Sequence, residues 1–172
     1  MTDTRPLSAR RFPLLTVFGL GHLPMSGTFG SIPPVVVAGL AIAMGLHPAT
    51  HPVLYNALIL AMLVGASVAC VVQGDLAEIR FRRKDPKEVV ADEVAGQSVA
   101  LLALPVAVGT SGWTIGALLV ASFLAFRAFD IAKFWPMSRL ERLPGGWGVL
   151  LDDIAAGVFA WITIQVAAAV LL

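Results

Sequence analysis

The chain has 172 residues, with twelve Lys and Arg against eleven Asp and Glu, and 58% of it is hydrophobic. A mean hydropathy of +0.84 leaves far too little polar surface for a soluble domain of this size, so the composition excludes one and identifies an integral membrane protein. Cys70 is the only cysteine, which excludes an intrachain disulfide, and one short basic run is too little to indicate nucleic-acid binding.

All charge lies in three blocks, Met1 to Ser31, Gly74 to Glu93 and Arg127 to Asp153. In the first, Arg10 and Arg11 precede the apolar stretch Phe12 to Leu20. Gly19, Gly21 and Pro24 interrupt that stretch and no small-x-small cleavage site follows, so it is expected to be retained rather than removed as a signal peptide. The first predicted span is Ile32 to Leu46 and the second Leu54 to Val72, separated by a loop that holds His47 and His51. Small residues in the second span, Gly65, Ala66, Ser67 and Ala69, suit close helix approach in lipid.

The segment from Gly74 to Gln97 is polar. Asp75 and Glu78 share a face if the second helix continues past the membrane. Arg80, Arg82, Arg83 and Lys84 read as a basic anchor with attraction for anionic lipid, and Asp85 before Pro86 predicts a turn. Asp92 and Glu93 then open the third predicted span, Val94 to Val108. An ionised carboxylate at a membrane boundary is costly unless paired, solvated or bound to metal. A helix N-terminus accounts for one acid, but two acids with Gln97 one turn beyond suggest a polar site continuing into the membrane.

The fourth predicted span, Trp113 to Phe129, runs into Arg127, Asp130 and Lys133, which recur every three residues and share a stripe. Pro136 follows, and Trp135 suits an interfacial anchor. Gly145, Gly146 and Gly148 allow unusual backbone or close approach. Asp152 and Asp153 are then expected to begin the last helix, whose apolar span is Ile154 to Leu172; a single N-cap explains one Asp. The expected fold is therefore all-α, one domain over residues 1–172, a polytopic bundle of about five membrane-embedded helices.

Threading five spans in order puts the three charged blocks on one side, with all twelve cations. The positive-inside rule makes that side cytoplasmic. Three acidic helix boundaries then meet at one face: Asp92 with Glu93, Asp130, and Asp152 with Asp153. Carboxylates without His or Cys suit a hard, oxygen-seeking cation such as Mg²⁺, and Arg127 and Lys133 supply positive charge for a phosphate. The residues thus point to metal-assisted phosphoryl chemistry at the membrane surface, where the natural substrate is a lipid phosphate.

Four blocks carry a resemblance: GLGHLPMSGTFGS (Gly19 to Ser31), DPKEVVADEVAGQ (Asp85 to Gln97), FRAFDIAKFWP (Phe126 to Pro136) and GGWGVLLDDIAAG (Gly145 to Gly157). In this order they resemble the bacterial phosphatidylglycerophosphatase A family over most of the chain. The resemblance implies a Mg²⁺-dependent hydrolase of phospholipid biosynthesis in the bacterial inner membrane. It would convert phosphatidylglycerophosphate to phosphatidylglycerol and phosphate, with its active site facing the cytoplasm. It also implies Asp85, Asp92, Glu93, Asp130, Asp152 and Asp153 as catalytic residues, all but Asp85 as metal ligands, and Arg127, Lys133, Thr28 and Ser31 as phosphate-binding. Ser26 departs from the family's usual Pro-Gly-Thr, and Phe134 from its Lys-Pro-Trp-Pro; neither change removes a charged group. Either a metal-activated water or an aspartate could be the nucleophile. The competing reading is a divalent-cation transporter, which would need acids near the bilayer midplane rather than at one boundary.

Overall fold

A computed structural model describes residues 12–84 and 86–171, and no strand occurs among them. A 3-10 segment, Val17–His22, precedes α1 (Ser26–Ala43), α2 (Pro52–Phe81), α3 (Ala91–Leu101), α4 (Gly112–Ala132), α5 (Met137–Leu140) and α6 (Gly145–Leu171). Among the described residues, α1, α2, α4 and α6 are long and apolar enough to cross a membrane. Their outward positions, among them Val36, Leu40, Val64, Val68, Leu124 and Val166, are exposed and apolar. Such a surface suits lipid, in which each helix must satisfy its own backbone.

Three boundaries differ from the hydropathy reading. α1 begins at Ser26, so Gly27 to Ser31 are its first turns rather than a preceding loop. α2 continues through Asp75 and Glu78 to Phe81. The last helix begins at Gly145, so Asp152 and Asp153 lie two turns inside it rather than at its start, and capping cannot account for either.

The third predicted span is a half-helix. α3 has 11 residues, about 16 Å at 1.5 Å per residue, against a hydrocarbon core of about 30 Å. Pro105 explains the break, because a helix running through it would lack the donor for the Leu101 carbonyl and would drive the ring against it. Neighbouring side chains satisfy the freed backbone. Tyr55 Oη donates to Leu101 O at 3.2 Å, Trp161 Nε1 to Leu102 O at 2.8 Å and Gln165 Nε2 to Ala103 O at 2.8 Å, while Asn56 Oδ1 accepts from Ala103 N at 2.7 Å. Non-helical backbone at membrane depth is tolerated only when its polar groups are satisfied in this way.

α3 is the hub of the bundle, in contact with α1, α2, α4 and α6. Two glycines allow its closest approach: a methyl group at Gly157 would stand 2.2 Å from the Gly96 carbonyl oxygen, and one at Gly96 would stand 2.5 Å from the Asp153 carbonyl oxygen. Of the other small residues, Ala69 and Ala160 are buried in packing, but Gly65 borders open space. Because the Gly96 to Gly157 crossing has no slack, Gly157→Val is expected to cost at least the 1–3 kcal/mol typical of overpacking. The check is the thermal midpoint in detergent, which should fall clearly below that of Gly65→Val.

Candidate functional site

The first turn of α3 points its acids into the bundle rather than along the membrane surface. Asp92 is buried, and Asp92, Glu93 and Asp153 each offer a carboxylate oxygen, all within 4.8 Å of one another. The helices bring them together by different means. Asp92 and Glu93 are adjacent on α3, while Asp153 is delivered by the Gly96 to Gly157 crossing, which presses α6 against the same stretch of α3. Like charges this close and this buried repel, and buried charges are stable only when paired or coordinated.

Cations line one side of the cluster. Arg127 Nη1 forms an ion pair with Asp130 Oδ2 one turn along α4, with both side chains mostly enclosed. Arg127 also reaches the first turn of α1, since a methyl group at Gly27 would lie 2.6 Å from Glu93 Oε1 and 2.9 Å from Arg127 Nη1. A side chain at this position would displace the carboxylate and guanidinium that crowd it. The N-terminal end of α1 adds the partial positive charge of its helix dipole. Lys133 Nζ bridges Asp152 Oδ2 at 3.0 Å and Glu141 Oε1 at 3.1 Å, joining α6 to the segment between α5 and α6.

The predicted site residues thus fall into two sets. Asp92, Glu93 and Asp153 converge as potential ligands, and Asp130 and Asp152 stand beside them, each held by a cation. Thr28 lies in the first turn of α1, partly exposed. Ser31 is fully buried and its hydroxyl donates to Gly27 O at 2.8 Å, so its hydrogen stays within the helix. Asp85 lies outside the described residues. Two groups enter the picture that sequence did not place there. Asp75 Oδ1 accepts from Gly146 N at 3.2 Å and so anchors the start of α6; its signal was the polar end of α2. Glu141 shares Lys133, and nothing local in the sequence marked it.

A metal ion fits this geometry on the chemistry of the donors. The three converging groups are all carboxylates, the set that hard cations take, and grouped acids this close need a counter-charge.

A family model described as phosphatidylglycerophosphatase A matches residues 14–168. The chain belongs to that family. Its full-length likeness is to the phosphatidylglycerophosphatase A of Haemophilus influenzae, 29% identical over 171 residues and 95% of each chain. The phosphatidylglycerophosphatase A of Escherichia coli is 39% identical over 77 residues, 44% of this chain and 41% of that protein. A Bacteroides thetaiotaomicron protein, provisionally named a phosphatidylinositol-3-phosphatase, is 40% identical over 84 residues, 49% of this chain and 50% of that protein. In these last two, the match spans half or less of the relative's own length. No solved structure matches the chain. The family match runs from the segment before α1 into α6, so it includes every element that contributes to the acidic cluster.

Because the cluster is a set of crowded like charges, neutralising one should relieve repulsion. Asp153→Asn is expected to melt at or above the wild-type temperature in EDTA, yet to lose most of the stabilisation that a divalent cation gives by binding the folded state. Thermal scans of both proteins, with and without the cation, check this.

Proposed function

We propose that this protein is a Mg²⁺-dependent phosphatase of membrane lipids that hydrolyses phosphatidylglycerophosphate to phosphatidylglycerol and phosphate. The observation that carries the reading is the all-carboxylate cluster of Asp92, Glu93 and Asp153 beside the Arg127 guanidinium, at one end of a bundle whose flanks face lipid. Family membership supports the same reaction, through the names that the Escherichia coli and Haemophilus influenzae relatives carry.

In this reading Asp92, Glu93 and Asp153 hold Mg²⁺, which would neutralise phosphate charge and lower the pKa of a bound water. The rest of the work falls to the chain's own groups. Arg127 donates to the phosphate oxygens, and its pairing with Asp130 fixes the plane of the guanidinium so that two parallel N–H bonds reach one phosphate. Lys133, held between Asp152 and Glu141, places a second positive charge near the transferring group, where negative charge spreads over the equatorial oxygens. The Thr28 hydroxyl and the Ser26 and Gly27 amides at the start of α1 supply further donors, as helix N-termini do for anions. Asp85 enters on the family motif alone.

Every acid of the cluster lies at the charged end of the bundle, which favours surface chemistry over cation transport through the midplane. We take that end to be cytoplasmic, in the inner membrane of a bacterium, on the positive-inside rule. Lys84 is exposed beside the basic run and Thr110 lies in the loop before α4. A cysteine replacing Thr110 in a Cys70-free background should label from outside intact cells, and one replacing Lys84 should not; the reverse pattern would overturn the orientation.

The test of activity is phosphate release by the purified protein from phosphatidylglycerophosphate in detergent micelles. Release should require Mg²⁺ and stop with EDTA. It should exceed release from phosphatidylinositol 3-phosphate, the substrate suggested by the name of the Bacteroides thetaiotaomicron relative. Arg127→Lys should fold normally and lose about 100-fold or more in turnover, the typical cost of removing a preorganised donor from developing charge. Cation flux into proteoliposomes without phosphate release would replace the phosphatase with a transporter.

A further inference from the structure

One turn below Glu93 on α3, Gln97 is completely enclosed, at 0% exposure. Its Nε2 donates to Ser122 Oγ on α4 at 3.3 Å, and Ser122 Oγ donates in turn to Leu119 O at 3.0 Å. That second bond fixes the orientation of the amide: with its hydrogen committed to Leu119, the Ser122 oxygen needs a donor, so the nitrogen of Gln97 faces it and Gln97 Oε1 points elsewhere. Among the described residues, no group donates to Gln97 Oε1.

Glu93 Oε2 is in the same condition. Residues four apart on a helix lie one above the other, so these two buried acceptors share a side of α3. The partner helix repeats the order. Arg127 sits level with Glu93 at the mouth of the site and Ser122 sits level with Gln97 beneath it. Deeper still the core is apolar, with Leu101, Ile115, Leu118 and Leu119. The polar site therefore has a floor, made of an amide where a methionine would pack as well. Helix capping does not explain an amide at this depth, and neither does contact with a phosphate at the mouth.

Two stacked, buried acceptors match one ligand: a water molecule, which has two O–H donors and is the usual partner of otherwise unsatisfied buried groups. We propose that Gln97 is a positioning residue for the acidic cluster. With Ser122 holding its amide, it binds a buried water that donates one hydrogen to Gln97 Oε1 and the other to Glu93 Oε2. The bridge locks the Glu93 carboxylate against Asp92 and Asp153. The proposal rests on the reading of that cluster as a Mg²⁺ site. Gln97 touches neither substrate nor metal and acts through Glu93, in the way that outer-shell partners orient metal ligands.

The experiment is a Mg²⁺ titration of purified protein in detergent without substrate, read as the rise in thermal midpoint, with phosphate release measured in parallel. Gln97→Met keeps the length of the side chain and removes the amide. It should raise the Mg²⁺ concentration for half-maximal stabilisation about 10- to 100-fold while leaving the midpoint in EDTA near that of the wild type. Ser122→Ala should move the Mg²⁺ dependence in the same direction by a smaller factor, because it leaves the amide in place but unheld. If Gln97→Met does not fold, Gln97→Asn, which draws the oxygen back by one methylene, should show the same rise. A folded Gln97 variant with wild-type Mg²⁺ dependence would overturn the proposal alone, and a lowered midpoint in EDTA with no other change would assign Gln97 to packing. A wild-type protein that gains no stability from Mg²⁺ would overturn the metal reading of the cluster, and the role of Gln97 with it.

Discussion

The short length of α3 governs the rest of the structure. A half-helix ending inside a membrane leaves carbonyls that lipid cannot satisfy, so it has to be surrounded. Tyr55 and Asn56 from α2 and Trp161 and Gln165 from α6 close its far end. These hydrogen bonds tie that end to α2 and α6, and the first turn of α3, with Asp92 and Glu93, packs among the other helices instead of on the rim. A full-length third helix would have needed no such side chains and could have stood at the edge.

Close helix contact then brings the remaining charges in. Gly96 and Gly157 let α3 and α6 approach until side chains have no room between them, and Asp153, one turn before Gly157, is carried into the cluster. A similar contact near the start of α6, where a methyl group at Gly74 would stand 2.4 Å from the Gly146 Cα, holds that helix against α2. Small residues at these crossings replace the hydrophobic drive that lipid does not supply. The candidate site is thus assembled largely by packing in the apolar part of the bundle, and its three grouped carboxylates add repulsion rather than cohesion.

That repulsion is managed by pairing at the periphery. Asp130 is held by Arg127, and Asp152 by Lys133, which also pairs with Glu141. Three carboxylates remain grouped in the centre. A protein selected only for stability would replace such a cluster with apolar side chains, because buried charge is a poor source of stability. Its place beside a guanidinium, with Asp153 two turns inside α6, distinguishes the cluster from a set of helix caps.

The sequence alone determined the membrane class, the all-helical fold and the gathering of charge on one side, because hydropathy and charge layout are properties of the chain that no tertiary contact alters. The motif blocks also marked Asp92, Glu93, Arg127, Asp130, Lys133, Asp152 and Asp153 as a group. What the chain could not disclose was depth and direction. Asp152 and Asp153 looked like the beginning of a helix because three nearby glycines resemble a loop; α6 includes those glycines, with α2 packed directly against Gly145 and Gly146 and the backbone of Glu141 and Leu143 against Gly148. Val94 to Val108 looked like a span because apolar residues continue past Leu101. The chain leaves the helix there because Pro105 denies it a donor, and side chains distant in sequence make the break tolerable. The division of the acids, with Asp153 in the central cluster and its neighbour Asp152 on Lys133, was settled only by the rotation of α6 against α3. Adjacent residues on a helix point about 100° apart, and which of them faces inward is decided by the helix packed against them.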